Sequence, residues 1–96
     1  MIRHTVLLSF DDVDESLIQK VIDELREMPR LIPEIDSYIV SRDLGLAEGS
    51  AAVVVSGDFN SIADYQVYAT HPEHVRVITE HIRPHATALT RAQIEL

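Results

Sequence analysis

The sequence predicts an α+β fold of order βαββαβ, with a four-stranded antiparallel sheet and both helical regions on one of its faces. Three observations carry this. Segments rich in apolar and β-branched residues alternate with amphipathic segments in that order along the 96 residues. Gly45 and Gly49 mark a turn between the two middle strands. Pro72 interrupts the second amphipathic region and divides it into two helical pieces, because a proline inside a helix loses a hydrogen bond and clashes with the preceding turn.

Ile2 to Phe10 has no glycine or proline and reads as the first strand. Asp12 or Asp14 then caps a helix whose Leu17, Ile18, Val21, Ile22, Leu25 and Met28 recur at three- and four-residue spacing, with its end expected before Pro29. The opposite face of that helix is charged and reads as solvated surface. Leu31 to Pro33 is a connector, Asp36 to Asp43 the second strand and Ser50 to Asp58 the third, forming a hairpin with a longer loop. Asn60 or Ser61 caps the next helix, which is expected to stop near Thr70 and restart at Pro72, a favoured first helical residue. Val75, Ile78 and Ile82 continue the apolar stripe, and Arg83, preceding Pro84, is expected to turn extended and end it. Ala86 to Leu96 is the last strand, assigned from its place in the order, since its alanines, Gln93 and Glu95 would by propensity suit a helix.

The third strand says something about assembly. A strand with one wet face alternates, yet Ala51 to Val55 is apolar at every position, as is Val6 to Leu8. The order βαββαβ closes as a ferredoxin-like sheet with its helices on one side, so something else must cover the other face. A second copy of the same sheet does so. The expectation is a homodimer, two sheets closing into a dimeric α+β barrel.

Composition narrows the function classes. A chain of this length is one domain, residues 1–96, and buries about 60–65% of its unfolded surface, which leaves a thin core that pairing would help. The formal net charge is −8, with 16 acidic against 8 basic residues, which offers no footprint for nucleic acid or an anionic membrane surface. With no cysteine, disulfides, thiolate nucleophiles and cysteine-based zinc sites are excluded. No apolar run approaches a membrane span, and the N-terminus opens on strand-like sequence, so a soluble cytoplasmic protein is expected.

The candidate chemistry lies between Tyr68 and His85, which holds four of the five histidines. The Pro72 joint puts Tyr68 on the last turn of one helix and His74 on the first turn of the next, where hydroxyl and imidazole can meet. A histidine titrates near pH 6.5, and a helix N-terminus lowers that value and keeps the ring neutral, which suits a general base. Tyr68 then serves as hydrogen-bond donor to an enolate or orients His74. The plainer alternatives are a capping histidine and a half-buried tyrosine. His71, before Pro72, reads chiefly as a cap, with substrate binding as its functional alternative. His4 shares a strand face with Ile2, Val6 and Leu8, and is a core histidine or a pocket wall. His71-x-x-His74 and His81-x-x-x-His85 have spacings that metal sites use, but Pro84 breaks the helix between the latter pair, so no metal site is assigned, and no cofactor is implied.

Tyr68-x-x-His71-Pro72-x-His74, the opening Ile2-Arg3-His4-Thr5-Val6-Leu7-Leu8-Ser9-Phe10, Leu31-Ile32-Pro33-Glu34-Ile35, and Asp58-Phe59 occur in an order that resembles the stress-responsive A/B-barrel family. The resemblance spans almost the whole chain and implies a dimeric α+β barrel, in a family most of whose members have no assigned activity. It extends, at His4, Tyr68 and His74, to a plant polyketide cyclase of that family that closes its substrate by aldol condensation. It implies there that His74 is the base, Tyr68 its partner and His4 a pocket residue. The chain departs from that enzyme at Val53, where the cyclase has a further pocket histidine.

Three functions are therefore compatible with the sequence. One is a small enzyme that enolises or condenses a carbonyl or polyketide-like compound. A second is a binding protein that holds such a ligand without turnover. The third is a stress-related structural protein acting through its assembly.

Overall fold

In the structure, a computed structural model describing Met1 to Leu96, the strands are β1 (Ile2–Phe10), β2 (Ile35–Arg42), β3 (Val53–Phe59) and β4 (Ala86–Glu95). They form one antiparallel sheet in the order β2-β3-β1-β4. The order is that of the ferredoxin-like fold, with both crossovers carrying helices over the same face. Alternate residues of β1, β2 and β3 meet those helices. His4 and Leu8 of β1, Val40 of β2 and Val53, Val55 and Phe59 of β3 are buried there.

The first crossover contains α1 (Glu15–Arg26) and a four-residue helix, α2 (Met28–Leu31). Asp14 is the N-cap residue of α1 and is extended, whereas Asp12 adopts φ 50° in the preceding loop. Burial of Ile18, Val21, Ile22 and Leu25 supplies about 1.5–3 kcal/mol per side chain. The expected break before Pro29 takes a different form. The first helix ends earlier, and Pro29 lies inside the first turn of α2, where its missing N–H would have had no partner anyway. The expected connector Leu31–Pro33 therefore begins inside a helix, and β2 begins at Ile35, one residue before the predicted start.

The hairpin loop is longer than expected, because β3 starts at Val53 instead of Ser50. Ala51 and Ala52 stay outside the strand, although the Ala52 N–H donates to the Leu8 carbonyl at 2.8 Å. The second crossover holds α3 (Ile62–Thr70), capped by Ser61, whose Oγ accepts from the Asp64 N–H at 3.1 Å, then α4 (Pro72–Val77). The break at Pro72 lies where the sequence puts it.

After α4 the chain widens into a π-helical turn, Ile78–Ile82, and the Arg83 N–H bonds the Ile78 carbonyl at 2.8 Å. Arg83 keeps helical angles, φ −55° and ψ −39°, against the extended geometry expected before Pro84. A wider turn carries the preceding carbonyls away from the incoming pyrrolidine ring, which relieves the clash a proline makes with the turn before it. Ala86–Glu95 pairs along β1 from Phe10↔Ala86 to Ile2↔Glu95, so the ladder overrides the helical propensity of that segment. No helix is long and apolar enough to cross a membrane.

The helix-free face of the sheet is uncovered in the single chain. Leu7, Ile39 and Ile94 are 40%, 66% and 55% exposed on it, beside Thr5 and Val54.

Candidate functional site

The helices that cover the sheet leave a cavity of about 100 Å³ over the β1–β4 side. Its floor is His4, Val6 and Leu8 of β1 with Leu89 and Arg91 of β4, and Tyr65, Tyr68, Ala69 and His74 roof it. Most of the lining is apolar. The cavity exists because β4 is an edge strand that the helices do not reach, while α3 and α4 turn at Pro72 directly above β1.

The α3–α4 joint positions His74. His71 ends α3 and caps α4, its Nδ1 accepting from the Glu73 N–H at 3.1 Å. That bond, the capping role chiefly expected of His71, occupies its Nδ1, and His71 is not among the residues that line the cavity, where its alternative role in substrate binding would put it. Three residues on, the His74 Nδ1 lies 3.2 Å from the Ala69 carbonyl. A carbonyl only accepts, so this bond fixes the proton on Nδ1 and leaves Nε2 as the unprotonated nitrogen. Arg76, on the outer side of α4, bonds Glu73, Glu80 and Glu24 and so ties the joint to α1. Burial holds His74 below its usual pKa, opposed by the Ala69 bond. The leading cause is thus desolvation, where the sequence reading relied on the helix N-terminus.

His4 is only 4% exposed, and its Nδ1 lies 3.0 Å from the Gln93 amide nitrogen. The amide donates, so Nδ1 accepts and the proton of the neutral ring sits on Nε2. Burial, followed by the nearby His74 and Arg91, pushes His4 down to about 4, so it is neutral at pH 7. No buried side-chain nitrogen or oxygen lacks a partner. The Nε2 atoms of His4 and His74, which bond nothing in the chain, are therefore open to the cavity. One offers a proton and the other a lone pair.

Tyr68 does not meet His74 through its hydroxyl. The two rings stack instead, centroids 4.1 Å apart at 33°, and the Tyr68 Oη bonds the Tyr38 Oη at 2.8 Å. Burial, with Tyr38 next, raises the Tyr68 pKa, and burial pushes Tyr38 up to about 12, so both phenols stay protonated. Tyr65 lies 5.0 Å from the His4 ring, centroid to centroid. Sequence reading missed Tyr38, Gln93 and Arg91. The signal for Tyr38 was Gly57, its register partner, where an added Cβ would lie 3.0 Å from the Tyr38 ring. Gln93 and Arg91 become visible only once the β1–β4 register is known. No three His, Cys, Asp or Glu side chains group where a metal ion could be held.

Known proteins share this architecture. A dimeric ferredoxin-like protein of unknown function from Thermobifida fusca superposes with a TM-score of 0.90 and 31% identity, covering 99% of this chain and 90% of that one. The hydroxynitrile lyase of Passiflora edulis has a TM-score of 0.86 at 17% identity over 99% of this chain and 92% of the lyase, a likeness of fold alone. In sequence, the stress-response A/B barrel domain-containing protein DABB1 of Arabidopsis thaliana is 30% identical over 84 residues, 83% of this chain. The chain spans 40% of the length of that curated relative. The sequence profile of the stress-responsive A/B barrel domain (Dabb) matches residues 2–95, and the chain belongs to that family.

Proposed function

We propose that the chain is a small enzyme that removes a proton from carbon next to a carbonyl group, with His74 as the base. The observation carrying this is the pair of neutral imidazoles on one apolar cavity, with opposite hydrogen-bonding capacity at their free Nε2 atoms. In the step, His74 Nε2 takes the proton from the α carbon, the C–H electron pair moves to the carbonyl oxygen, and His4 Nε2–H donates to the resulting enolate. The enolate then takes a proton back or attacks a second carbonyl, as in aldol condensation. The step needs no cofactor. Both histidines keep these roles at pH 7 because burial lowers their pKa values.

His4 thus takes the donor role first expected of Tyr68, whose hydroxyl is held by Tyr38. Tyr68 is a positioning residue that fixes the plane of His74, and His71 shapes the joint. The small cavity favours a compact carbonyl compound over a polyketide, since sites for drug-sized ligands run to about 300–1,000 Å³. The reading includes a homodimer through the helix-free sheet face, supported by its exposed Leu7, Ile39 and Ile94 and by the dimeric Thermobifida fusca relative. It also places the protein in the cytoplasm, where a chain without cysteine loses nothing.

Deuterium exchange at the α carbon of acetoacetate and of 2-butanone in D2O, followed by proton NMR, tests the proposal. The protein should accelerate exchange over buffer, and His74→Ala should return it to the buffer rate. Acceleration that survives in His74→Ala would sink the assignment of the base. Ligand-induced NMR shifts without acceleration would make the chain a binding protein, and neither effect would leave assembly as its function.

A further inference from the structure

We propose that the cavity's ligand carries a carboxylate as well as the carbonyl, and that Arg91 on β4 binds that carboxylate. The inference deepens the enolising reading and rests on it. Of the 8 Lys and Arg side chains, six hold a carboxylate or a backbone carbonyl. Arg83 and Arg91 are the two left over, and of these Arg91 lines the cavity. In a chain with 16 acidic residues, a guanidinium without a carboxylate partner at the edge of an otherwise apolar cavity has an open binding capacity. Its planar fork matches a carboxylate in two parallel hydrogen bonds.

The placement is set by register. Arg91 stands opposite Val6, two residues along β1 from His4 and on the same sheet face, so the guanidinium and the His4 ring address the two ends of one ligand. Along a strand such positions are about 6.6 Å apart, a span that a short oxo acid bridges with one hydrogen bond at each end. The charge of Arg91 already reaches the His4 ring, and helps keep it neutral. Arg91 is also the sole cation lining the cavity, which favours the single charge of a carboxylate over the double charge of a phosphate ester.

The test compares four probes by NMR titration of the His4 and His74 ring protons: acetoacetate, its methyl ester, butyrate and inorganic phosphate. Acetoacetate is expected to bind at least about tenfold more tightly than the ester, a difference of about 1.4 kcal/mol. Arg91→Gln should abolish that preference and Arg91→Lys should keep part of it. Arg91 is exposed on an edge strand, so neither variant should unfold the protein, and unchanged backbone spectra check this. Equal binding of acid and ester, or a preference that survives Arg91→Gln, overturns the carboxylate assignment and leaves the enolising reading standing. Butyrate binding as well as acetoacetate, and depending on Arg91, keeps the carboxylate site but removes the carbonyl from the reading. Phosphate displacing acetoacetate at equal concentration makes the site one for phosphate esters. Failure of every probe to bind overturns both readings.

Discussion

Removing the Tyr38 hydroxyl will cost more stability than removing the Tyr68 hydroxyl, although each change deletes one oxygen from the same hydrogen bond. The bond joins Tyr38 Oη to Tyr68 Oη at 2.8 Å. Tyr68 is 1% exposed, so in Tyr38→Phe its hydroxyl is stranded without water, at about 1–3 kcal/mol. Tyr38 lies on the edge strand β2 and is partly exposed, so in Tyr68→Phe its hydroxyl is sealed less completely than that of Tyr68, and the loss is nearer 0.5–1.5 kcal/mol, the net worth of an ordinary hydrogen bond. The double variant strands nothing and should cost less than the sum of the two. For a domain of this size, about 1 kcal/mol moves Tm by roughly 4–8 °C. Urea and thermal unfolding of all four proteins, at one fixed protomer concentration, measure the cycle. Additive penalties, or a cheaper Tyr38→Phe, would refute the reasoning that the bond anchors an otherwise sealed hydroxyl.

Further outcomes follow from the same geometry. Tyr68→Phe should leave α-proton exchange within a few-fold of the parent, whereas His74→Ala abolishes it at a stability cost of at most about 1–2 kcal/mol, checked by NMR exchange and melting together. Acid should destabilise the protein in a particular window. His4 binds a proton near 6.5 when unfolded but only near pH 4 when folded, so the unfolded state takes up more protons between these values. Stability is full above pH 6.5 and falls towards pH 4, by up to about 3 kcal/mol, and His4→Gln should flatten that part of a urea-midpoint titration. On the helix-free face, Ile39→Lys should convert a species of about twice 10.8 kDa in sedimentation into a monomer. A parent protein that already sediments at 10.8 kDa would refute the pairing.

Much of the fold was legible because local patterns state it directly. The three- and four-residue spacing of Ile18, Val21, Ile22 and Leu25 specifies a helix and its buried face, and the break at Pro72 follows from the chemistry of one residue. The order of elements then dictated the ferredoxin-like sheet, because few connections close it. Boundaries were less legible. Pro29 fits a first helical turn as easily as it ends a helix, and the π-helical turn before Pro84 answers a clash whose relief no propensity describes. At the site, the sequence by itself determined that His74 stands beside a joint and that His4 shares a face with apolar neighbours, since both facts are local. Tertiary structure alone decided which atom of each ring is free. Ala69 and Gln93 choose the two tautomers, Tyr38 claims the hydroxyl of Tyr68, and the β1–β4 register brings Gln93 to His4 and Arg91 to the cavity. A hydrogen bond depends on an ångström-scale meeting of groups up to 89 positions apart, and composition and spacing carry no record of that distance.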